Sequence, residues 1–349
     1  MCQCDIMAFV DIGPLRCSSK RKVGACSVDV CPVGQSRRPQ RGRNVNRESS
    51  FSVSGWPCAT RPHKELLRVQ AGGGTGPNDP ELEAQLSLGC IGGGNMAWAI
   101  LSGLVSNKVI PAQSIFVCDR NEKKLQQYKD LGIQVVGSVR ELSKCSAVLL
   151  AVKPYAAANA LSELSPDCRA LVISVCAGLR LETLQGMLSP QCPARLARVM
   201  PNTPCLVGQG ASAYALGPSA TAQDSEVVQL LFRAISVIVK VEESMLDAVT
   251  GLSGSGPAFV LMFIEALADG GVQNGLRRDT AQVLAAQLVY GTAKMVMDNP
   301  DTHVAELRNR VESPGGTTVA GTAALEKDAF RAAVQSAVRA ATLRSKELA

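Results

Sequence analysis

A glycine-rich segment, IGGGNMA at residues 91–97, is the first stretch of the sequence whose residue types and spacing suggest chemistry. It fits the pattern G-x-G-x-x-G/A, with an apolar run before it and a helical pattern after it. Gly92 permits a tight turn, Gly94 lets a pyrophosphate approach the backbone, and Ala97 lets the helix lie close to the strand. The start of the helix then faces the anion. The segment is therefore predicted to bind a dinucleotide; an ordinary strand-to-helix turn is the alternative.

A polar pair at the end of the next apolar run, FVCDRN, bears on the choice of dinucleotide. Asp119 lies 22 residues beyond Ala97, where an acidic residue contacts the adenosine ribose in this type of site. A carboxylate accepts hydrogen bonds from a free 2′-hydroxyl and repels a 2′-phosphate, which favours NADH. The guanidinium of Arg120 favours NADPH, because it can pair with a phosphate or stack on adenine. These residues alone leave both nucleotides open.

Three further segments end predicted strands, where open α/β sheets bind their ligands. They are AVKP at 151–154, SVCAG at 174–178 and RVMPNTP at 198–204. Pro154 ends its strand and turns Lys153 toward the ligand crevice, although a surface lysine is the alternative. Asn202, held between two prolines, is predicted to hydrogen-bond near the nicotinamide.

Two Gly/Ser-rich segments precede later helical patterns: TGLSGSGPAF at 250–259 and VESPGGTTVAGTAALE at 311–326. Each is predicted to be a turn that leads into a helix, whose first N–H groups are available to an anion. The backbone around 315–318 and the hydroxyls of Thr317 and Thr318 suit a small carboxylate with a neighbouring polar nitrogen or oxygen. A well-capped helix without a ligand is the alternative for each segment.

Alternating short apolar runs and helical patterns predict a parallel sheet with crossover helices. The predicted strands are 86–91, 114–118, 133–136, 147–152, 171–176, 197–200, 211–216 and 237–241. The predicted helices between them are 96–106, 122–130, 155–164, 181–188 and 225–234. Only helical spacing follows, at 245–274, 278–297, 304–311, 318–327 and 330–348. The predicted fold class is therefore α/β, with a Rossmann-type doubly wound sheet over 85–243 and an all-helical domain over 244–349.

The first 80 residues differ in composition from the rest. Residues 1–78 hold 12 Lys or Arg and 5 Asp or Glu, so their net charge is +7, whereas that of residues 79–349 is −1. This leader has no periodic apolar face and is predicted to be disordered. Its basic, Ser-rich composition is typical of an organelle transit peptide, and its end, LLRVQA at 66–71, favours a chloroplast over a mitochondrion. A misassigned start and a cytoplasmic protein are the alternative.

The composition of the main body argues against several other protein classes. Thirteen cysteines are spread along the chain without a C-x-x-C pair, which predicts reduced thiols rather than a disulfide framework or a metal site. A histidine-rich metal centre or a Ser-His-Asp triad would have to rest on His303 alone. No run of about 18 apolar residues is present, so no membrane span is predicted. The nearly neutral main body predicts no nucleic-acid partner.

The segments IGGGNMA, AVKP, RVMPNTP, GLSGSGPAFV…EALADGG and SPGGTTVAGTAALE occur in this order from about residue 86 to the C-terminus. Together they resemble the pyrroline-5-carboxylate reductase family. The resemblance implies a Rossmann domain, a helical domain that interleaves with that of a second copy to form a homodimer, and a ring of dimers, expected to be a decamer. It also implies a nicotinamide cofactor, with NADP(H) preferred to NAD(H), and no metal.

The resemblance also implies the site residues. Those on the cofactor side are Ile91, Gly92, Gly93, Gly94, Asn95, Met96, Asp119, Ser138, Ala151, Val152, Lys153, Pro154, Val175, Cys176 and Ala177. Arg120 and Asn202 are expected on this side from their residue types and positions, although Asp119 and Arg120 lie where many members of the family have neutral residues. Those on the substrate side are Ser255, Ser313, Gly316, Thr317 and Thr318. Among these, Ser313 and Thr318 are the expected catalytic residues, with the Thr318 hydroxyl bonded to the imine nitrogen. Arg310 departs from the family pattern, because a small polar contact to the cofactor is expected there.

The implied reaction is hydride transfer from nicotinamide C4 to C5 of pyrroline-5-carboxylate, giving L-proline. A protonated imine is already electrophilic, so positioning is expected to matter more than acid catalysis. One alternative is a β-hydroxyacid dehydrogenase of the 3-hydroxyisobutyrate or 6-phosphogluconate type, which needs a lysine base; Lys294 is its main candidate. A second alternative is a nicotinamide-binding protein without catalytic activity, whose basic leader binds nucleic acid.

Overall fold

The computed structural model describes residues 86–348. The leader, with its predicted disorder and transit peptide, lies outside the described residues. All eight predicted strands are present, with bounds that differ by a few residues. They are β1 Leu88–Ile91, β2 Ile115–Cys118, β3 Gln134–Val135, β4 Ala147–Leu150, β5 Leu171–Ser174, β6 Arg195–Met200, β7 Gly210–Leu216 and β8 Ser236–Lys240.

The strands form one sheet in the order β3-β2-β1-β4-β5-β6-β7-β8. Strands β1 to β6 run parallel to one another, β7 runs antiparallel to β6, and β8 runs parallel to β7. The chain winds outward in one direction from β1 to β3 and in the other from β4 onward. The boundary between β1 and β4 is therefore a topological switch point, where open α/β sheets bind ligands outside the carboxyl ends of their strands.

Six α-helices connect the strands. They are α1 Asn95–Ser106, α2 Glu122–Asp130, α3 Val139–Leu142, α4 Ala157–Ser162, α5 Leu181–Met187 and α6 Ala222–Arg233. Helix α3 was not predicted, because one turn is too short to show a helical period. The helix predicted from residue 155 begins instead as a 3₁₀ turn, Pro154–Ala156, and becomes α-helical only at Ala157.

Two apolar clusters cover the two faces of the sheet. Leu149 of β4 and Ile173 of β5 belong to one cluster, whereas their neighbours Val148 and Val172 belong to the other. Because side chains alternate between faces, a strand that is buried on both sides reads as a continuous apolar run. This double burial made the strands visible in the sequence.

The described chain after β8 is helical. Its helices are α7 Leu246–Val249, α8 Gly256–Gln273, α9 Arg278–Asp298, α10 Val304–Asn309, α11 Thr317–Lys327 and α12 Phe330–Leu348. The predicted Gly/Ser turn at 250–259 is wrong as a turn, because Thr250–Gly254 is a π-helical segment that joins α7 to α8. The Ser255 N–H donates to the Thr250 carbonyl at 2.8 Å, and Pro257 lies in the first turn of α8, where a helix tolerates proline.

The helical half exposes many large apolar side chains. Helices α8 and α9 pack against each other, but only Ala268, Ala281 and Ala285 form a buried cluster between them. The outward-facing side chains include Leu261, Met262, Val283, Leu288 and Tyr290, which are 55–69% exposed. So many exposed large apolar side chains on two helices indicate a binding partner.

One stretch bears on the prediction that the chain has no membrane span. By length and composition alone, Glu243–Gln273 is long and apolar enough to cross a bilayer. The expected absence of a span is therefore not confirmed. Apolar helices that oligomers bury between subunits have the same composition.

Candidate active site

The glycine loop lies between β1 and α1, at the switch point. Gly92 has a φ of 100°, and a Cβ at this position would lie 2.8 Å from the Ala151 carbonyl oxygen. The Gly92 N–H donates to the Cys118 carbonyl at 2.8 Å, and the Ala151 N–H donates to the Ile91 carbonyl at 2.9 Å. The loop is thus fixed to the ends of both neighbouring strands, and only glycine fits at its first turn.

Asp119 holds the second residue of the loop. Its Oδ2 accepts the Gly93 N–H at 2.6 Å, and its Oδ1 accepts the Asn121 N–H at 2.7 Å. Both carboxylate oxygens therefore already have a partner within the chain. The predicted contact of Asp119 with a ribose stays a prediction, and the structure adds that this side chain shapes the loop.

The ring of Tyr128 fills the space beneath Gly93. A Cβ on Gly93 would lie 3.2 Å from Tyr128 Cε2. Tyr128 is fully buried and meets Trp98 edge to face, with ring centroids 5.4 Å apart. Burial raises the pKa of the Tyr128 phenol, so this group stays neutral beneath the loop.

Gly94 and the start of α1 form a cradle for an anion. Gly94 is the N-cap of α1 and provides no side-chain acceptor for the first N–H groups of the helix, including those of Asn95 and Met96. A Cβ on Gly94 would meet no heavy atom within 4 Å. Open space beside free N–H groups at a helix start is what a pyrophosphate requires, so these residues fit a dinucleotide.

The remaining predicted cofactor residues of β4 and β5 lie at the same edge of the sheet. Ala151 and Val152 are half-buried, whereas Lys153 and Pro154 are exposed. The Cys176 thiol, between Val175 and the exposed Ala177, donates to the Val152 carbonyl at 3.2 Å. Burial raises the pKa of the Cys176 thiol above its ordinary value, which favours the protonated thiol that donates this hydrogen bond.

Arg120 and Ser138 lie on the outer side of this edge. Arg120 Nη2 pairs with Glu163 Oε1 at 3.4 Å, and these side chains are 81% and 48% exposed. Glu163 was not predicted as a site residue, because it follows α4 without any motif around it. Ser138 is exposed and begins α3, and its N–H donates to Glu141 Oε1 at 3.0 Å.

Asn202 lies at the end of β6, but its amide group is used within the protein. Asn202 is 7% exposed; its Nδ2 donates to the Ser253 carbonyl at 3.0 Å, and its Oδ1 accepts the Ala211 N–H at 2.9 Å. The predicted nicotinamide contact therefore stays untested, and neither hydrogen bond could have been found in the sequence, because both partners are backbone groups.

The predicted substrate residues lie at the start of α11. Gly315 has a φ of 67°, the Gly316 N–H donates to the Ser313 carbonyl at 3.0 Å, and Gly316 is the N-cap of the helix. As at α1, no side chain caps this helix, so the first N–H groups beside Thr317 and Thr318 are available to a ligand. This segment belongs to the helical half, where α11 packs against α12.

Two other candidates have different surroundings. Ser255 follows the π-helical segment and is half-buried at the start of α8, so it does not lie in an open turn. Arg310 Nη2 pairs with Glu306 Oε1 at 2.7 Å on the exposed side of α10. Within residues 86–348, no cluster of His, Cys, Asp and Glu side chains is suited to a metal ion.

The fold and the glycine loop together define a dinucleotide-binding protein of the Rossmann class. The profile of a family described as "NADP oxidoreductase coenzyme F420-dependent" matches residues 87–178. A second profile, described as "Pyrroline-5-carboxylate reductase dimerisation", matches residues 243–348. The two matches fall on the sheet-forming half and on the helical half.

Known proteins are similar to this chain over most of its length. The pyrroline-5-carboxylate reductase of Arabidopsis thaliana is 43% identical over 265 residues, which cover 75% of this chain and 95% of that protein. A pyrroline-5-carboxylate reductase structure from Coxiella burnetii superposes with a TM-score of 0.72 at 32% identity, covering 76% of this chain and 99% of that chain. A pyrroline carboxylate reductase structure from Plasmodium falciparum with NADP bound superposes with a TM-score of 0.68 at 34% identity, covering 75% of this chain and 98% of that chain.

The chain belongs to the pyrroline-5-carboxylate reductase family, and it is an NAD(P)H-dependent oxidoreductase. The resemblance drawn from its motifs is thereby confirmed, as is the α/β fold class with a helical dimerisation domain.

The two glycines of the loop allow a paired test of the cradle. We expect Gly92→Ala to lower Tm by about 4–8 °C, because it combines a strained backbone with a clash against Ala151. We expect Gly94→Ala to leave Tm unchanged but to weaken dinucleotide binding at least about tenfold, because its methyl group occupies the space of the pyrophosphate. Thermal unfolding and fluorescence titration measure the two effects. Normal dinucleotide affinity in Gly94→Ala would contradict the assignment.

Proposed function

We propose that the chain reduces L-1-pyrroline-5-carboxylate to L-proline with NADPH as the donor, the last step of proline synthesis. The observation that carries this proposal is the 43% identity to a named reductase across 95% of its length. The uncapped starts of α1 and α11 support it, since each offers free N–H groups to an anionic ligand. Oxidation of NADPH by the full chain with pyrroline-5-carboxylate tests it, and no oxidation of NADPH or NADH would reject it.

In the proposed reaction the chain mainly binds NADPH and the substrate and orients them relative to each other. The start of α1 holds the pyrophosphate, and NADPH, when bound, supplies the hydride. The start of α11 holds the substrate carboxylate, and the Thr318 hydroxyl accepts the iminium N–H, with Ser313 beside it. Positioning of the reacting carbons to about 3–3.5 Å is the main catalytic contribution that such a site makes.

The surroundings of Lys294 disfavour the β-hydroxyacid dehydrogenase alternative. Lys294 Nζ donates to both carboxylate oxygens of Asp298, at 2.9 and 2.8 Å. These bonds and the negative charge of Asp298 raise the pKa of Lys294 above its ordinary value. A general base must be unprotonated, and this lysine is held in the protonated form.

The role of Thr318 can be separated from cofactor binding. We expect Thr318→Ala to lower kcat/KM about 10–100-fold, the usual effect of losing a hydrogen bond to a charged group, while the Kd for NADPH stays the same. Steady-state kinetics and fluorescence titration measure these quantities. Thr292→Ala is the matched control, because the Thr292 hydroxyl donates only to the Leu288 carbonyl of its own helix. Unchanged kinetics in Thr318→Ala would remove the proposed role.

We propose that Arg120 selects NADPH and that Glu163 weakens this selection. Both oxygens of Asp119 are bonded to backbone N–H groups, whereas Arg120 is 81% exposed and has only a 3.4 Å contact with Glu163, so Arg120 is the charged group of this pair that can reach a 2′-phosphate. Glu163 neutralises Arg120 and adds a negative charge near the same place.

We therefore expect Arg120→Ala to weaken NADPH binding about tenfold and to leave NADH binding unchanged. We expect Glu163→Gln to strengthen NADPH binding a few-fold, with both effects smaller at high salt. Fluorescence titrations with both nucleotides measure the affinities. Arg233→Ala is the charge-matched control, since Arg233 ends α6 and pairs with Gln229. Equal loss of NADPH and NADH affinity in Arg120→Ala would contradict the proposal.

The match to a dimerisation profile over residues 243–348 and the exposed apolar face of α8 and α9 support a homo-oligomer. We propose a homodimer that forms a ring of dimers, a decamer; the relevant measurement is the mass in solution by light scattering. We assign the exposed apolar side chains of α8, which lie within the apolar stretch Glu243–Gln273, to contact with a second copy, because the same profile covers them.

We also propose that the leader directs the protein to the chloroplast. Pyrroline-5-carboxylate reductases of plants are among its relatives, and its net charge of +7 over residues 1–78 suits a transit peptide. We expect residues 1–80 fused to a fluorescent protein to accumulate in chloroplasts in a plant cell. Mitochondrial or cytoplasmic fluorescence would favour one of the alternatives.

A further inference from the structure

Three contacts join the carboxyl edge of the sheet to the helical half of the same chain. At the first, Glu243 accepts a hydrogen bond from the buried Arg198 of β6 at 3.3 Å and another from the Leu181 N–H at 2.7 Å. The second is the hydrogen bond from Asn202 to the Ser253 carbonyl at 3.0 Å. At the third, the end of α12 approaches the β5–α5 loop. These contacts form the junction between the two halves.

The π-helical segment Thr250–Gly254 lies at the centre of this junction. A Cβ on Gly254 would lie 2.6 Å from Met200 Cε at the end of β6, and one on Gly251 would lie 2.7 Å from the Val338 carbonyl of α12. The segment is therefore packed tightly on two sides. Within this segment the Ser253 carbonyl accepts the hydrogen bond from the Asn202 side chain.

Helix α12 continues the junction toward the cofactor side. Ser345 Oγ donates to Asp247 Oδ1 at 2.7 Å, and both residues are nearly fully buried. A Cβ on Gly178 would lie 2.9 Å from the Leu348 carbonyl, so α12 ends against the loop that follows Val175–Ala177. The same helix packs against α11, which carries the proposed substrate residues. The position of the helical half is thus fixed against loops of the cofactor edge.

We propose that Asn202 is a positioning residue that sets the placement of the helical half against the cofactor edge through the Ser253 carbonyl, and that it makes no contact with the nicotinamide. Asn202 is 7% exposed, and its amide oxygen and nitrogen each have a backbone partner, one on β7 and one on the π-helical segment. A side chain held in this way connects β7 of the sheet with the π-helical segment of the helical half. The spacing between these two elements determines the geometry of the reaction. The proposal rests on the reductase activity proposed above.

Two substitutions of Asn202 distinguish the effects of its two hydrogen bonds. Asn202→Ala removes both of them. Asn202→Asp keeps an acceptor for the Ala211 N–H but places a carboxylate oxygen against the Ser253 carbonyl. We expect both variants to lower kcat at least about tenfold, because misplacement by about 1 Å costs that much or more, while the Kd for NADPH changes less than about twofold. We also expect faster hydrogen exchange of the amides of 250–255 in the protein without cofactor.

The control is Tyr214→Phe, which removes a buried hydroxyl within the sheet-forming half. The Tyr214 hydroxyl lies 2.6 Å from Ser225 Oγ and accepts from Gln229 Nε2 at 3.0 Å, and neither partner belongs to the junction. We expect this variant to lose thermal stability, to keep kcat and to leave exchange at 250–255 unchanged. Such a result would distinguish an effect of lower stability from an effect of a misplaced helical half.

Three results would overturn the proposal. A rise of tenfold or more in the Kd for NADPH without faster exchange at 250–255 would identify Asn202 as a cofactor contact. An unchanged kcat in both Asn202 variants would show that the placement of the helical half does not depend on the hydrogen bond from Asn202 to the Ser253 carbonyl. An equal loss of kcat in Tyr214→Phe would attribute the effect to stability. An inactive wild-type chain would reject the reductase function instead, and hydrogen exchange would still report on the junction.

Discussion

The lack of space between β1 and β4 at Gly92 is the constraint on which the cofactor side of the structure depends. A backbone with a φ of 100° and a Cβ position 2.8 Å from the Ala151 carbonyl leave room for glycine alone. The chain can therefore turn sharply enough for α1 to begin directly above the switch point of the sheet. Asp119 then fixes the next residue through the Gly93 N–H, so contacts within the chain hold the loop in place. Preorganisation of this kind lowers the entropy that binding would otherwise cost.

The start of α11, the proposed substrate side, has the same local geometry as the start of α1. Gly94 and Gly316, the N-caps of α1 and α11, have nearly the same backbone angles, with φ of −80° and −79° and ψ of −178° and 170°. A glycine with positive φ precedes each of them, at Gly92 and Gly315. A serine or aspartate at an N-cap would occupy the first N–H groups of the helix with its own side chain. Glycine leaves these groups to a ligand, at some cost in helix stability.

Much of the fold and part of the site could be predicted from the sequence, for physical reasons. Strands buried on both faces, such as β4 and β5, read as apolar runs, and the glycine loop has a fixed spacing. The π-helical segment was mistaken for a turn, because its Gly and Ser residues have the composition of a turn and only the contacts with α12 and β6 show their use. The partners of Asn202 and Arg120 escaped prediction for a related reason. The Ser253 carbonyl lies 51 residues from Asn202, and Glu163 lies 43 residues from Arg120; the first is a backbone group and the second is an exposed carboxylate without a motif.

The two halves differ in what they need to keep their shape. Two large apolar clusters stabilise the sheet-forming half, so its glycine loop is fixed by contacts within one chain. The helical half has a buried cluster of only three alanines among its described residues, and its larger apolar side chains face outward. The start of α11 is therefore held by the junction with the sheet and by whatever covers α8 and α9. Because the family profile over this half describes dimerisation, we expect the geometry of the proposed substrate side to depend on assembly in a way that the cofactor side does not.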